Sequence, residues 1–401
     1  MPFCASKCRY CNFYSEPMEK GEVRAVIDAM VREMEWYDLS GVDMVYVGGG
    51  SPSAIPEEDL VRLLEYIVSE CRCKKGADRE KRKGRTSFCE FTVEVNPGQV
   101  TVEKLRRMRA AGVNRLSMGA QSLDDGELAM LGRGHKAADV LKAMASAREA
   151  GFANISIDLI FAIPGQSLES WIRTLERAIR LGAEHISAYA LTYEEGTPLC
   201  AARERGEVVA ADEELDRAMY ETAIDTLAAA GYQQYEISNF ARPGFECRHN
   251  LKYWANDEYI GIGPAAASWY KGARWTNIGC IDGYTAGTQE SHDRGRENTE
   301  KISDADGFEG RNQIVLRVEE QRPCATDVAC ETAVLNLRRI RGIELDEYKR
   351  RTGFDAMELF GEVIGKHAAA GLLKVEGGRV FLTRDGLPVA DAVLCDFAAA
   401  E

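Results

Sequence analysis

The loop CASKCRYC (residues 4–11) contains three cysteines with the spacing C-x3-C-x2-C. Because a cubane iron–sulfur cluster binds one ligand more than this, we predict that Cys4, Cys8 and Cys11 hold a [4Fe–4S] cluster with one open iron. An open iron can chelate the amino and carboxylate groups of S-adenosylmethionine (SAM), and an electron delivered through the cluster then cleaves the sulfonium to a 5′-deoxyadenosyl radical. The loop therefore predicts a SAM-binding protein that needs an electron donor.

The alternatives for this loop are a structural zinc site and disulfide bonds. Zinc sites usually have a fourth Cys or His nearby, and three clustered cysteines cannot all pair with one another. The chain has twelve cysteines, but it is long enough to build a core without disulfides. We therefore expect a metal cluster, a reducing compartment and a cytoplasmic location.

Short apolar runs alternate with longer amphipathic segments in the first half of the chain. The runs with strand character are MVYVGGG (44–50), FTVEVNPG (91–98), VNRLSMG (113–119), ISIDLI (155–160) and HISAYAL (185–191). The segments with helical periodicity are Glu57–Glu70, Val102–Ala111, Ala137–Ala150 and Leu168–Leu181. This order predicts an α/β protein with a partial (β/α) barrel, whose functional residues lie at the carboxyl ends of the parallel strands.

Two polar segments interrupt this pattern. The basic run 72–85 (RCKKGADREKRKGR) is predicted to be a solvated loop insertion, with a nucleic-acid or targeting role as the alternative. The stretch 285–310 lacks hydrophobic periodicity and is predicted to be a linker between a barrel region (1–284) and a C-terminal domain (311–401). In that domain, amphipathic helices precede the hairpin-like LLKVEGGRVFLT (372–383), which predicts a small winged-helix-like α+β module with an accessory or lid role.

The charge of the chain bears on its partners. A formal net charge of −14 and a pI near 5.1 argue against nucleic-acid binding, because affinity for phosphate backbones requires a basic face. No apolar run approaches the ~18 residues that a membrane-spanning helix requires, and no signal-like segment precedes the cysteine loop. A small-molecule ligand is therefore the expected partner.

The glycine run GGGSP (48–52) follows the first predicted strand of the alternating pattern and precedes a helix. Glycine allows the backbone to approach a ligand closely. In a chain that also contains the cysteine loop, this turn fits an edge that pairs with the methionine amino group of SAM. A tight turn without a ligand is the alternative.

Polar residues recur at or just beyond the ends of the later strands. They are Glu94, Asn96, Gln121, Arg133, Asp158 and Thr192. An isolated carboxylate in an apolar strand must be hydrogen-bonded or paired if it is buried, so each of these groups could be structural. They nevertheless converge on the face where barrel chemistry occurs, and SAM offers hydroxyl and carboxylate groups for them to bind.

Several segments resemble the oxygen-independent coproporphyrinogen III oxidase (HemN-like) superfamily of radical SAM proteins. They are CASKCRYCNF (4–13), GGGSPS (48–53), EVNPG (94–98), GVNRLSMGAQSLDDGELAMLGRGH (112–135), IDLIFAIPGQSLESW (157–171) and YQQYEISNFARPGFECRHNLKYW (232–254). The match is closer to the HemW-type heme chaperones than to the oxidases. The oxidases have a further cysteine where Phe13 stands, and the chaperone branch has an H-N-x-x-Y-W motif, which matches residues 249–254.

The resemblance implies roles for individual residues. Cys4, Cys8 and Cys11 would bind the cluster, and Tyr10 would lie against the cluster and SAM. Gly49, Gly50 and Ser51 would form the edge for the methionine of SAM, and Glu94 would contact SAM. The residues that match a second SAM site in the oxidases are Gln121, Arg133, Asp158 and Thr192. The family also implies a strand before the cysteine loop, so we expect that the first barrel strand and its SAM-facing tyrosine are missing from this sequence.

The HNxxYW segment predicts a heme site, because imidazole can ligate heme iron and Tyr253 and Trp254 offer flat apolar surface to a porphyrin. A structural role for His249 is the alternative. The favoured function is a heme chaperone that passes heme to acceptor apoproteins. Oxidation of coproporphyrinogen III propionates to vinyl groups is the second candidate, and radical chemistry on another substrate is the third.

Overall fold

The computed structural model describes residues 1–18, 22–72, 88–298 and 316–398. Apart from Arg72, the basic run 72–85 lies outside these ranges. The strands are β1 (Phe3–Cys4), β2 (Glu16–Pro17), β3 (Met44–Val47), β4 (Glu90–Val95), β5 (Arg115–Gln121), β6 (Ile155–Phe161), β7 (His185–Ala190), β8 (Gln233–Glu236), β9 (Asn239–Ala241), β10 (Ala267–Tyr270), β11 (Ala273–Asn277), β12 (Arg317–Gln321), β13 (Ile343–Glu344), β14 (Leu373–Glu376) and β15 (Arg379–Leu382). The helices are α1 (Glu22–Met34), α2 (Glu57–Arg72), α3 (Val102–Ala110), α4 (Asp125–Met130), α5 (Ala137–Glu149), α6 (Leu168–Arg180), α7 (Pro198–Glu204), α8 (Glu213–Ala229), α9 (Arg248–Trp254), α10 (Ile281–Asn298), α11 (Ala325–Leu337), α12 (Leu345–Thr352), α13 (Ala356–Ala369) and α14 (Ala390–Ala398). None of the helices in the described ranges has both the length and the apolar character needed to span a bilayer.

The main sheet has seven strands in the order β3-β4-β5-β6-β7-β9-β8. The first five are parallel, and β9 and β8 extend the sheet in antiparallel pairings. All five predicted strands and all four predicted helices of this region form, with boundaries that differ by at most a few residues. The predicted α/β class with a partial barrel is confirmed.

The helices pack on the outside of the sheet through their apolar faces. In α6, the Ser167 side chain caps the helix by accepting from the Ser170 N–H at 3.2 Å. Trp171 is fully buried and donates its indole N–H to the Met219 carbonyl at 2.9 Å, which joins α6 to α8. Such contacts leave the opposite face of the sheet to line the barrel interior.

The beginning of the chain runs along the end of β3. The Gly50 N–H donates to the Met1 carbonyl at 2.6 Å, and the Ser51 N–H donates to the Phe3 carbonyl at 2.6 Å. Strand β1 then pairs in parallel with β2. Residues 1–3 therefore lie beside the outermost parallel strand, and the cysteine loop starts directly after them.

The first part of the predicted linker is helical. Helix α10 extends through residue 298, whereas residues 299–310 lie outside the described ranges. Its early turns are anchored because Tyr284 and Thr288 are fully buried and α10 packs against α1. Tertiary packing has thus overridden a polar sequence with weak helical periodicity. The proposed division into domains at 285–310 stays a prediction.

The C-terminal region has the predicted helix-plus-hairpin arrangement. Strands β13, β15 and β14 form an antiparallel sheet against helices α11–α14. This region joins the main sheet through backbone hydrogen bonds from Ile237 to Arg338 (3.0 Å) and from Ile340 to Tyr235 (3.1 Å). The winged-helix-like α+β module is confirmed, and it lies against the end of the seven-stranded sheet.

A buried carboxyl group connects α1 to the segment that follows the barrel. Glu33 is 1% exposed and accepts hydrogen bonds from the Gly263 N–H (2.8 Å), the Asn277 amide (2.7 Å) and the Tyr284 hydroxyl. Burial raises the pKa of Glu33 from 4.5 to about 7, although the hydrogen bonds oppose this shift. Folding is therefore linked to the protonation of this group.

We expect Glu33→Gln to reduce the pH dependence of stability. The raised pKa means that the native state binds more protons than the unfolded state between pH 4.5 and 7, so Glu33 makes stability fall as pH rises through this window. Between pH 5 and pH 8 the unfolding free energy of the parent protein should therefore fall by about 2 kcal/mol more than that of the variant. Urea unfolding at the two pH values measures this difference, and parallel pH profiles would contradict it.

Candidate cofactor-binding site

A cavity of about 1350 Å³ opens at the carboxyl ends of the parallel strands. It extends along the barrel interior to Arg115 and His185, which are the first residues of β5 and β7. Residues 387–392 of the C-terminal region also line it. The predicted site residues that line this cavity are Cys4, Cys8, Cys11, Tyr10, Gly49, Gly50, Ser51, Glu94, Gln121, Arg133, Asp158 and Thr192. The three residues predicted for the heme site, His249, Tyr253 and Trp254, are not part of its lining.

The cysteine loop is held by backbone contacts on both sides. The Arg9 N–H donates to the Leu131 carbonyl at 3.0 Å, and the Arg9 carbonyl accepts from the Leu199 N–H at 2.8 Å. The three thiols are half-buried, and burial raises the pKa of Cys4 and of Cys11. A cation or metal that favours the thiolate is therefore needed to ionise Cys4 and Cys11 at neutral pH.

The arrangement of these three thiols can be compared with that expected for a single zinc ion and with that expected for a cubane iron–sulfur cluster. Within the described ranges, no three Cys, His, Asp or Glu side chains converge closely enough to bind a single metal ion. A single zinc ion needs all of its ligands around one point, whereas the cysteines of a cubane bind different irons and stand further apart. Three half-buried thiols around one cavity suit the donor set of such a cluster.

The glycine turn is shaped by the beginning of the chain. Gly49 has a φ of +105°, which disfavours any residue with a side chain. A Cβ atom on Gly50 would lie 2.5 Å from the Phe3 carbonyl oxygen. Ser51 is buried and its hydroxyl donates to Gln99 (2.6 Å) and accepts from the Asn96 amide (2.7 Å), so this side chain holds the turn in place.

Gly50→Ala should destabilise the protein by about 1–3 kcal/mol, because the added methyl group overlaps the backbone of residues 1–3. Gly41→Ala is the matched control, since a Cβ at that position meets no atom within 4 Å. Urea midpoints of the two variants measure the difference. Equal midpoints would show that residues 1–3 do not pack on the turn in solution.

Glu94 connects the glycine turn to the barrel interior. Its carboxylate accepts from the Gly49 N–H at 3.2 Å and from the Tyr46 hydroxyl at 2.6 Å. Burial raises the pKa of Glu94 to about 7, and nearby Asp158 adds to this effect. The carboxyl group is therefore poised between its two protonation states near neutral pH.

Arg133 and Asp158 are already partnered inside the cavity. The Arg133 guanidinium donates to Cys8 Sγ (3.3 Å) and to the Gly119 carbonyl (2.8 Å), but its buried Nε has no partner in the described ranges. Asp158 accepts from the hydroxyls of Ser117, Ser156 and Ser187 at 2.8–3.0 Å. The Arg133 guanidinium can therefore stabilise the Cys8 thiolate. The three hydroxyl donors fix the orientation of the Asp158 carboxylate.

The remaining predicted residues lie around the cavity mouth. Gln121 ends β5 at a register shift and has a φ of 66°, so the strand is locally bent there. Thr192 is exposed just beyond β7. Tyr10 packs against the small apolar cluster that contains Leu131, and burial raises the pKa of its hydroxyl. Contacts of these residues with SAM stay predictions.

His249 lies near the amino ends of the strands, away from the cysteine loop. The Glu90 carboxylate accepts from the N–H groups of Arg248 and His249 at 3.0 Å each, which caps α9 and fixes it at the start of β4. The imidazole stacks on Tyr46 with ring centroids 4.8 Å apart and an interplanar angle of 22°. Because Tyr46 lines the cavity, the His249 ring lies behind it.

A second, smaller cavity of about 310 Å³ adjoins the HNxxYW segment. Tyr253, Trp254 and Tyr259 line it, and the rings of Tyr253 and Tyr259 meet edge to face at 4.5 Å. Asn250 and Tyr189 line both cavities and therefore stand between them. The predicted aromatic surface of this segment does face an open space.

Two cavity residues were missed by the sequence interpretation. Tyr46 connects Glu94 with His249, and Arg115 is buried at the inner end of the cavity. The signal for Arg115 was present in the strand VNRLSMG, where one charged residue stands in an apolar run just as Asp158 does in SIDLIF. Nothing in the sequence distinguished Tyr46 from a core aromatic residue.

The sequence and the fold of this chain are similar to those of several known proteins. Residues 1–178 match the Radical SAM superfamily, and residues 325–389 match the HemN C-terminal domain. The chain is 32% identical, over 99% of its length and 97% of the relative's, to heme chaperone HemW of Bacillus subtilis. It is 38% identical, over 66% of its length and 58% of the relative's, to the mitochondrial radical S-adenosyl methionine domain-containing protein 1 of Mus musculus. The structure of coproporphyrinogen III oxidase (HemN) from Escherichia coli, a radical SAM enzyme, aligns with a TM-score of 0.78 at 19% identity, over 100% of this chain and 88% of that one.

A parallel half-barrel with a three-cysteine loop at its carboxyl ends, matched by these models, defines a radical SAM protein. Membership of this superfamily implies a [4Fe–4S] cluster and SAM. Within it, the chain belongs to the family of the heme chaperone HemW. The resemblance found in the sequence is confirmed at this level.

Proposed function

We propose that this protein binds heme through His249 and passes it to acceptor apoproteins. The observation that carries the proposal is the state of the His249 imidazole. No described residue forms a hydrogen bond with its ring nitrogens, while Tyr46 and Tyr253 hold the ring at centroid distances of 4.8 Å. Burial lowers the pKa of His249 to about 4, so the ring is neutral at pH 7, as an iron ligand must be.

The surroundings of His249 support a porphyrin ligand. Tyr253 and Trp254 lie one turn further along α9 and line the smaller cavity, so they offer apolar faces next to the imidazole. The name of the Bacillus subtilis relative, heme chaperone HemW, agrees with this ligand. The half-buried ring has no partner among the described residues at its nitrogens, so these remain available to a ligand.

Cys4, Cys8 and Cys11 would hold the cluster, and Gly49, Gly50 and Glu94 would position SAM beside it. When bound, this pair supplies reductive cleavage of the SAM sulfonium with one electron from a donor protein. Arg133 would stabilise the Cys8 thiolate through its contact at 3.3 Å. Because thiolates need a reducing compartment, a cytoplasmic location is proposed with this assignment.

The volume of the main cavity favours a second candidate function. A space of about 1350 Å³ exceeds what SAM-sized ligands usually occupy, so a tetrapyrrole substrate could enter beside SAM. The reaction would then be oxidation of coproporphyrinogen III propionates. Phe13, which is 65% exposed at the cavity, stands where the oxidases resembled by this chain have a further cysteine.

Two assays on the reconstituted protein test the proposal. Heme titration followed by the Soret band should give saturable binding near one heme per chain, and transfer to an apo-hemoprotein should follow. Anaerobic incubation with SAM, reductant and coproporphyrinogen III should yield no protoporphyrinogen IX. Product formation would establish the second candidate, and absence of both heme binding and product would leave radical chemistry on another substrate.

A further inference from the structure

Arg115 is a buried cation that has no hydrogen-bonding partner in the described ranges. It is 2% exposed, it lines the main cavity, and no hydrogen bond or ion pair joins its guanidinium to a described residue. Its buried Nε is also unsatisfied. Buried charges in proteins are normally paired, so this group requires a counter-ion.

The carboxylate that acts on Arg115 already has hydrogen-bond donors of its own. Glu90 is close enough to act on Arg115 electrostatically, but its oxygens accept from two N–H groups of α9 and from the Cys247 thiol at 3.3 Å. His185, which begins β7 and lines the same cavity, contacts Ser156 and the Tyr235 hydroxyl at 2.8 Å each. Arg115 therefore has polar groups and the Glu90 charge around it, but no carboxylate of the described residues is hydrogen-bonded to its guanidinium.

Arg115 lies at the amino ends of the parallel strands, the end at which Glu90 holds His249. It begins β5, so it stands about 20 Å along the strand from Gln121 and the carboxyl ends where SAM is expected. The positive charge of Arg115 acts electrostatically on His249 and contributes to the lowered pKa of the imidazole. Cys247 and Asn250, which flank His249 in sequence, line the cavity together with Arg115.

We propose that Arg115 binds a propionate carboxylate of the tetrapyrrole whose iron His249 ligates. This inference rests on the proposed function. A planar guanidinium binds a carboxylate through two parallel hydrogen bonds, and heme offers both an iron for the imidazole and flexible carboxylates for the cation. The carboxylate of SAM has the same chemistry, but it is expected at the opposite end of the strands.

The test compares heme with heme dimethyl ester, in which both propionates are blocked. The reconstituted parent protein should bind the diacid at least tenfold more tightly than the diester. Arg115→Met, which keeps an unbranched apolar stem but removes the charge, should bind both forms with the affinity of the diester. Arg115→Lys should restore part of the preference. His249→Ala should weaken both forms and keep their ratio.

Three results would overturn the inference. One is equal binding of diacid and diester by the parent protein, and another is an unchanged preference in Arg115→Met. The third is a loss of SAM affinity in Arg115→Met with the heme preference intact, which would assign the site to the carboxylate of SAM. If Arg115→Met fails to retain its cluster, the ratio in Arg115→Lys decides, because an ammonium cannot form the bidentate pair. In each case His249-dependent heme binding would still support the proposed function.

Discussion

Alanine at Cys4, Cys8 or Cys11 is expected to abolish cluster assembly. The reconstituted parent protein should contain about four irons per chain and show broad visible absorption, and each single variant should contain fewer than one. The effect is large because the three thiols are the predicted protein ligands of the cluster, and each single variant removes one of them. Iron content and the electron paramagnetic resonance signal of the reduced protein measure the loss.

Cys395→Ala is the matched control for this experiment. Cys395 is also a free cysteine, but it is exposed on α14 and outside the cavity lining. It should retain the iron content of the parent protein. Zinc in place of iron after anaerobic reconstitution, or a cluster that persists in all three single variants, would refute the predicted ligand set.

His249→Ala is expected to weaken heme binding at least tenfold, which is about 1.4 kcal/mol or more, and to shift the Soret band. The reason is the loss of a neutral imidazole that is held against Tyr46 with its nitrogens free. Cluster content should not change, because α9 is anchored at the amino ends of the strands through Glu90. Heme titration and iron analysis on the same preparation separate the two effects.

His367→Gln is a suitable control, because this histidine lies in the C-terminal module and contacts Asp396 at 2.8 Å. It should bind heme like the parent protein. If His249→Ala binds heme with the same affinity and spectrum, the imidazole is structural. The coproporphyrinogen reaction would then become the leading candidate, and the phenylalanine at position 13 would need another explanation.

Much of the barrel could be predicted from the sequence because its signals are local. Strands such as β6 are continuous apolar runs, and helix α6 begins at the capping residue Ser167. Helix α10 was not predicted, because most of its residues are polar and few of its described side chains, among them Ile281, Tyr284 and Thr288, are buried. Its formation depends on α1 and on contacts that sequence periodicity does not encode.

Some residues of the site could be predicted from local sequence signals, and others could not. A parallel sheet brings all strand ends to one edge, so residues from Cys4 to Thr192 could be predicted to meet there. The position of α9 depends on the capping of its N-terminus by Glu90, which is 158 residues away from Arg248. No spacing rule relates these two segments. The closeness of Tyr46, His249 and Arg115 therefore became visible only in three dimensions.

The anchoring of the cysteine loop has a consequence for biosynthesis. Arg9 is fixed between Leu131 and Leu199, which belong to much later parts of the chain. The ribosome makes the cysteines first, but their final position requires both of these partners. At about 5–20 residues per second, synthesis through Leu199 takes roughly 10–40 s after the cysteines appear. During this interval the nascent thiols lack their native anchors and are open to oxidation or to the wrong metal, so the native geometry of the cysteine loop is reached only after Leu199 has been made.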